Sequence, residues 1–93
     1  MYYLYILKSD VTGVYYVGQT NNLERRMIEH NSSKGTKFTN RHFPWRLITA
    51  FEIGEERSLA LKVEHHIKKQ KSKKYINELI ARGTIEMIIE RYK

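Results

Sequence analysis

Tyr16 to His30, YVGQTNNLERRMIEH, runs from the end of a strand through a polar turn into a short helix. Polar residues fill Gln19 to Asn22, after which Leu23 and Met27 recur at helical spacing. Asn21, with Glu24 three residues on, resembles a capping box at the helix start. Arg26 and His30 are four residues apart, so their side chains stack on one face of this helix. The phenol of Tyr16, a guanidinium and an imidazole converging on one area suit work on a phosphate ester. The same spacing also occurs on an ordinary solvated helix face.

Upstream, Tyr2 to Lys8 reads YYLYILK, dense in aromatic and branched residues, and is expected to form a strand covered on both faces. Period two puts Tyr3, Tyr5 and Leu7 on one face and Tyr2, Leu4 and Ile6 on the other. Ser9 to Gly13, SDVTG, is a turn whose chemistry falls to Asp10 and Gly13, and Val14 to Gly18 returns antiparallel. Tyr5 and Tyr16 therefore come from paired strands, and their phenols share a face if the register permits.

Downstream, Asn31 to His42 carries Lys34, Lys37 and Arg41 around Phe38. That composition suits backbone contact with base stacking, and equally a solvated loop with Phe38 tucked into the core. Pro44 is best placed at the first residue of a third strand, which continues from Trp45 to Ile53. Ser58 caps a second helix running to about Gln70, with Leu59, Val63, His66 and Ile67 on one side and Ala60, Glu64 and Lys68 beside them. Lys68, Lys69, Lys71, Lys73 and Lys74 form the most basic run, either a solvated junction or a patch that tracks phosphates. Ser72 caps a third helix on the stripe Tyr75, Ile76, Leu79 and Ile80, and Gly83 stops it. In the last segment Ile85, Met87 and Ile89 fit a strand while Ile85, Ile88 and Ile89 fit a helix; the strand is the reading adopted. The order β-β-α-β-α-α predicts a single α+β domain over residues 1–93, a small, mostly antiparallel three-stranded sheet packed with helices.

Ninety-three residues can bury one core and leave no room for a separate regulatory module. Seventeen Lys and Arg against ten Asp and Glu give a formal charge of +7 and a pI near 9.7, which favours a polyanion, nucleic acid before an anionic membrane surface. With no cysteine there is no disulfide, thiolate metal site or cysteine nucleophile. The opening MYYLYILKSD has no basic segment ahead of its short apolar run and does not read as a signal peptide. No stretch approaches the roughly 20 apolar residues that span a bilayer. A cytoplasmic location is expected.

Several of these residues together resemble the GIY-YIG nuclease domain. Its first signature appears as Tyr3-Leu4-Tyr5 and its second as Tyr16-Val17-Gly18. Arg26 and His30 follow at family spacing, then ALKVE, Ala60 to Glu64, where the family places a metal-binding glutamate on a helix. The likeness covers roughly Tyr2 to Asn77. EHNSSKGTKFT followed by PWRLI resembles, more narrowly, the small stand-alone bacterial members. There are two departures from the pattern: Tyr3 and Leu4 replace Gly and Ile, and Gln19 sits where some members carry a lysine that helps activate the nucleophile.

The resemblance implies a metal-dependent endonuclease acting on DNA, with Tyr5, Tyr16, Arg26, His30 and Glu64 as its site. Glu64 would hold one Mg²⁺ or Mn²⁺ ion, with waters and substrate oxygens completing the shell. Arg26 would bind the phosphate and Tyr5 would position phosphate or water. Tyr16, helped by His30, would take the proton from water, since Gln19 cannot. Asn77 falls near an asparagine that completes the site in several members. Lys34, Lys37, Arg41 and the lysines from Lys68 to Lys74 are candidate phosphate contacts. The alternatives are a non-catalytic nucleic-acid binder that keeps the fold, and a partner-binding subunit using Tyr2, Tyr3 and Tyr15.

Overall fold

Tyr2–Ser9 forms β1, the middle strand, and the other elements are placed by it. The computed structural model describes residues 1–32 and 41–93. β1 pairs antiparallel with β2 (Tyr15–Thr20) on one side and with β3 (Trp45–Gly54) on the other. Leu4, Tyr5, Ile6 and Leu7 are all buried, as expected of a strand covered on both faces. Leu4 and Ile6 join Val17, Phe51 and Ile53 in one cluster, while Tyr5 and Leu7 join Trp45 in another. The predicted alternation of β1 is observed.

The β1–β2 turn differs in its donors and acceptors. Gly13 takes the left-handed φ of 75°, but the Ser9 hydroxyl, not the Asp10 carboxylate, accepts the backbone N–H groups of Val11 (3.1 Å) and Thr12 (3.0 Å). Asp10 instead pairs with Arg46 at 3.5 Å. β2 runs two residues beyond the expected Gly18, because Gln19 and Thr20 still pair with Leu4 and Tyr3.

Helix α1 (Leu23–His30) is capped by Asn22, one residue later than predicted, whose side chain accepts from the Arg25 N–H at 3.0 Å. Leu23 and Met27 pack it against Tyr5, Leu7 and Trp45. The Asn31 side chain then brackets the Trp45 backbone, accepting from its N–H at 2.7 Å and donating to its carbonyl at 3.1 Å. This pair ties the end of α1 to the start of β3, which begins after Pro44 and not at it.

The opposite sheet face is covered by α2 (Arg57–Lys68), α3 (Lys73–Arg82) and α4 (Glu86–Tyr92). Helix α2 starts after Glu56, so Ser58 lies within its first turn and is not the cap. Its buried stripe is Ala60, Val63 and Ile67, shifted from the predicted Leu59 side. In α3 the expected punctuation is present: Ser72 accepts from the Tyr75 N–H at 3.1 Å, and Gly83 ends the helix at φ 74°.

The last segment is a helix, which corrects the strand reading. Ile85, Ile88 and Ile89 are buried while Met87 is 75% exposed, so the three-four spacing and not the two-residue alternation faces the core. Helix α4 packs on α2, where Tyr92 Oη lies 2.6 Å from His66 Nδ1. Among the described residues no helix is long and apolar enough to cross a membrane.

Candidate active site

The register of the β1–β2 hairpin decides where the two tyrosines sit. Tyr5 lies opposite Gly18 and Leu7 opposite Tyr16, so Tyr5 and Tyr16 are diagonal neighbours on one face. Their rings are 6.3 Å apart and inclined by 27°. Gly18 is required here for space: a Cβ on it would stand 2.4 Å from Tyr5 Oη and 2.5 Å from its Cζ. The phenol of Tyr5 therefore lies over the glycine of the facing strand.

Helix α1 delivers the next two groups onto the same face. His30 Nε2 is 2.9 Å from Tyr5 Oη in a buried hydrogen bond, and its ring is 4.6 Å from that of Tyr16. One turn earlier, Arg26 lies beside Tyr5 and is held by Glu29 at 3.0 Å. Trp45 closes the far side of Tyr16, with ring centroids 5.9 Å apart.

Glu64 arrives from α2, a helix that covers the other face. Because β2 is an edge strand, a helix packed against it can reach the tyrosines from the side. Glu64 Oε2 is 2.7 Å from Lys68 Nζ, and that ammonium lies 5.5 Å from the centre of the Tyr16 ring. Tyr5, Tyr16, Arg26, His30 and Glu64 thus face one region.

Burial pushes the Tyr5 phenol up to about 12; Arg26 beside it lowers the value in part, and Tyr16 and Glu64 add to the rise. Tyr5 is therefore a hydroxyl donor at neutral pH. Burial, reinforced by the Arg26 charge, lowers His30 to about 4, with Glu29 opposing. The imidazole is neutral, Nε2 accepts from Tyr5 and Nδ1 carries the proton. Burial works against the Arg26 charge, but Tyr5, Glu29 and Tyr16 more than offset it, so its pKa lies above the usual value.

The lowered His30 value has a consequence for stability. Between about 4 and the unfolded value near 6.5 the unfolded chain binds the extra proton, so His30's contribution is full above about 6.5 and is lost as pH falls towards 4. Between pH 7.5 and pH 5 the loss is about 2 kcal/mol. His66, also lowered by burial, adds to the same slope. Urea unfolding at the two pH values measures it, and His30→Gln should remove most of the difference. Equal wild-type stability at both would contradict a buried neutral imidazole.

A divalent ion fits the donors at Glu64. Among the described residues no group of three or more His, Cys, Asp or Glu could hold a metal, so a closed zinc-type site is not built here. Glu64, 19% exposed, is a hard oxygen donor that already attracts one cation, the Lys68 ammonium. A single carboxylate suits Mg²⁺, which keeps several waters and takes the rest of its shell from substrate.

The remaining basic residues divide. Lys68 belongs to the site; Lys71 and Lys73 line, with it, an apolar groove of about 470 Å³ beside Tyr15 and Tyr16. Lys69, Lys74 and Arg41 are exposed. Lys34, Lys37 and Phe38 lie outside the described residues. Asn77 accepts a hydrogen bond from Tyr15 Oη, and Tyr15 packs on the sheet face covered by α2, α3 and α4, so Asn77 is not beside the Tyr5–His30 pair. Sequence reasoning missed Lys68 as a partner of Glu64 and Glu29 as the partner of Arg26. Their signals were the four- and three-residue spacings along each helix.

The family described as the GIY-YIG catalytic domain matches residues 1–77. A UPF0213 protein of Haloquadratum walsbyi is 40% identical over 67 residues, covering 72% of this chain and 73% of that one. Another, from Staphylococcus saprophyticus, is 38% identical over 80 residues, 83% of this chain and 95% of that one. The solution NMR structure of a UPF0213 protein from Bacillus halodurans matches with a TM-score of 0.52 and 30% identity, over 87% of this chain and 84% of that one.

Proposed function

The chain belongs to the GIY-YIG catalytic-domain family and to the UPF0213 proteins, and from that premise we propose that it is an endonuclease hydrolysing DNA phosphodiester bonds with one Mg²⁺ or Mn²⁺ ion. The observation that carries this reading is the meeting of two phenols, a guanidinium, an imidazole and a carboxylate from both faces of one small sheet.

Arg26 binds a non-bridging oxygen of the phosphate and holds it through a fork already oriented by Glu29. Tyr5, its proton held in the bond to His30 Nε2 and its oxygen bonded to Arg26, fixes both of those groups and so positions the phosphate or the attacking water. Tyr16, its ring against His30, takes the proton from water as the phenolate, its own proton having passed to solvent, a form that Arg26 and an ion at Glu64 would favour. The ion, when held by Glu64, supplies Lewis-acid stabilisation and a more acidic water. An ion at Glu64 would take the place of the Lys68 ammonium, which lies 5.5 Å from the centre of the Tyr16 ring and would supply a neutralising charge there.

The test is cleavage of single-stranded, duplex and branched DNA with and without Mg²⁺, using Glu64→Ala as control. Metal-dependent cleavage lost in the variant supports the proposal. Binding to all three DNAs with cleavage of none would favour the non-catalytic binder instead.

A further inference from the structure

The geometry points to a second phosphate site beside the first, taking the nucleic-acid phosphate adjacent to the one being cleaved; this rests on the nuclease reading above. The site is a polar pocket of about 430 Å³ where the end of β2, the first turn of α1 and the first residue of α2 meet. Arg25 and Arg26 enter it from α1 and Arg57 from α2. Neither Arg25 nor Arg57 was among the basic residues singled out from the sequence, because they are 32 positions apart and neither lies in a basic run.

Three guanidiniums around one pocket repel one another, and the charges on hand offset only part of this. Glu29 pairs with Arg26 at 3.0 Å and Arg25 at 3.6 Å. Arg57 has no carboxylate within 4.0 Å among the described residues. Two lining residues also carry a buried polar atom with no hydrogen-bond partner, the Arg26 Nε and the Gln19 Oε1. Buried polar atoms are nearly always paired, and these two leave the hydrogen bonding of the pocket wall incomplete. Those two atoms are closed off from the pocket itself, and the exposed guanidiniums of Arg25 and Arg57 are the groups that a phosphate in it reaches.

Arg26 is common to this pocket and to the tyrosine cluster. Successive phosphates of one strand can therefore contact it from two sides, one beside Tyr5 and one between Arg25 and Arg57. The three planar forks match the oxygens of a phosphate, for which arginine is the suited residue. Binding at the second phosphate holds the reacting one in register, so substrates with a lone phosphodiester lack that hold.

The test is a binding titration, without divalent metal, of a trinucleotide carrying two phosphodiesters and of the same molecule with one replaced by a neutral methylphosphonate. NMR of the arginine Nε–H signals provides affinity and place together. For the wild-type protein, neutralising one phosphate weakens binding about tenfold, and the Arg57 signal stops responding. Arg57→Ala binds both molecules equally, at the weaker level. In longer DNA the same variant lowers the salt slope by about one. If neutralisation costs the wild type nothing, or costs Arg57→Ala as much as the wild type, the second site is wrong. Because no cleavage is read, a protein that fails to cut DNA still answers this question. A protein that cuts DNA but shows no second-phosphate dependence loses this inference alone.

Discussion

Glu64→Gln leaves the protein able to hold nucleic acid and unable to cleave it. The substitution keeps the size of the side chain and removes its charge. Glu64 holds Lys68 at 2.7 Å, so the change releases an ammonium next to Tyr16, and affinity for a polyanion persists or rises. Cleavage falls by roughly 10³-fold or more, since in the proposed mechanism both charge stabilisation and water activation would come from an ion at this carboxylate. Arg26→Ala also abolishes cleavage but weakens binding, because it removes the guanidinium from the phosphate itself. Cleavage rate and DNA affinity of both variants in one Mg²⁺ buffer separate the two roles. Undiminished cleavage by Glu64→Gln would place the metal elsewhere and take this residue out of the site.

A single methyl group at position 18 disables the site from the facing strand. In Gly18→Ala the new carbon would stand 2.4 Å from Tyr5 Oη, so the phenol must move. It has nowhere to go: the side chain is fully buried, packed with Leu7 and Trp45, and bonded to His30. Overpacking of this kind costs about 1–3 kcal/mol of stability. A displacement of about 1 Å at a reacting group costs on the order of 100-fold in rate. Tyr5→Phe is the comparison, since it keeps the ring and the packing and loses only the hydroxyl. Denaturant unfolding and cleavage together read the outcome. Wild-type stability and rate in Gly18→Ala would mean that the phenol of Tyr5 does not lie over that glycine.

Much of this molecule is written locally. The alternation of YYLYILK determined which side chains of β1 face each core cluster, because strand periodicity needs no partner to act. Ser72 and Gly83 marked the ends of α3 for the same kind of reason: a cap acts on backbone groups within four residues of itself. The one-turn relation of Arg26 and His30 is likewise a property of a single helix.

Other features were ambiguous or invisible until the elements met. Ile85 to Tyr92 satisfies both periodicities, and packing against α2 selects the helix because only the three-four stripe buries all three isoleucines. Whether Tyr5 would meet Tyr16 depended on a register that a one-residue slip would have reversed. That Glu64, from a helix on the opposite face, comes within range of Tyr5 depends on β2 being an edge strand. The convergence of Arg25, Arg26 and Arg57 on one pocket has no sequence signal at all, since it joins two helices separated by the whole of β3. Periodicity and capping are short-range and are legible residue by residue; which side chains from different elements touch is set by register and packing, and those exist only once the chain has folded.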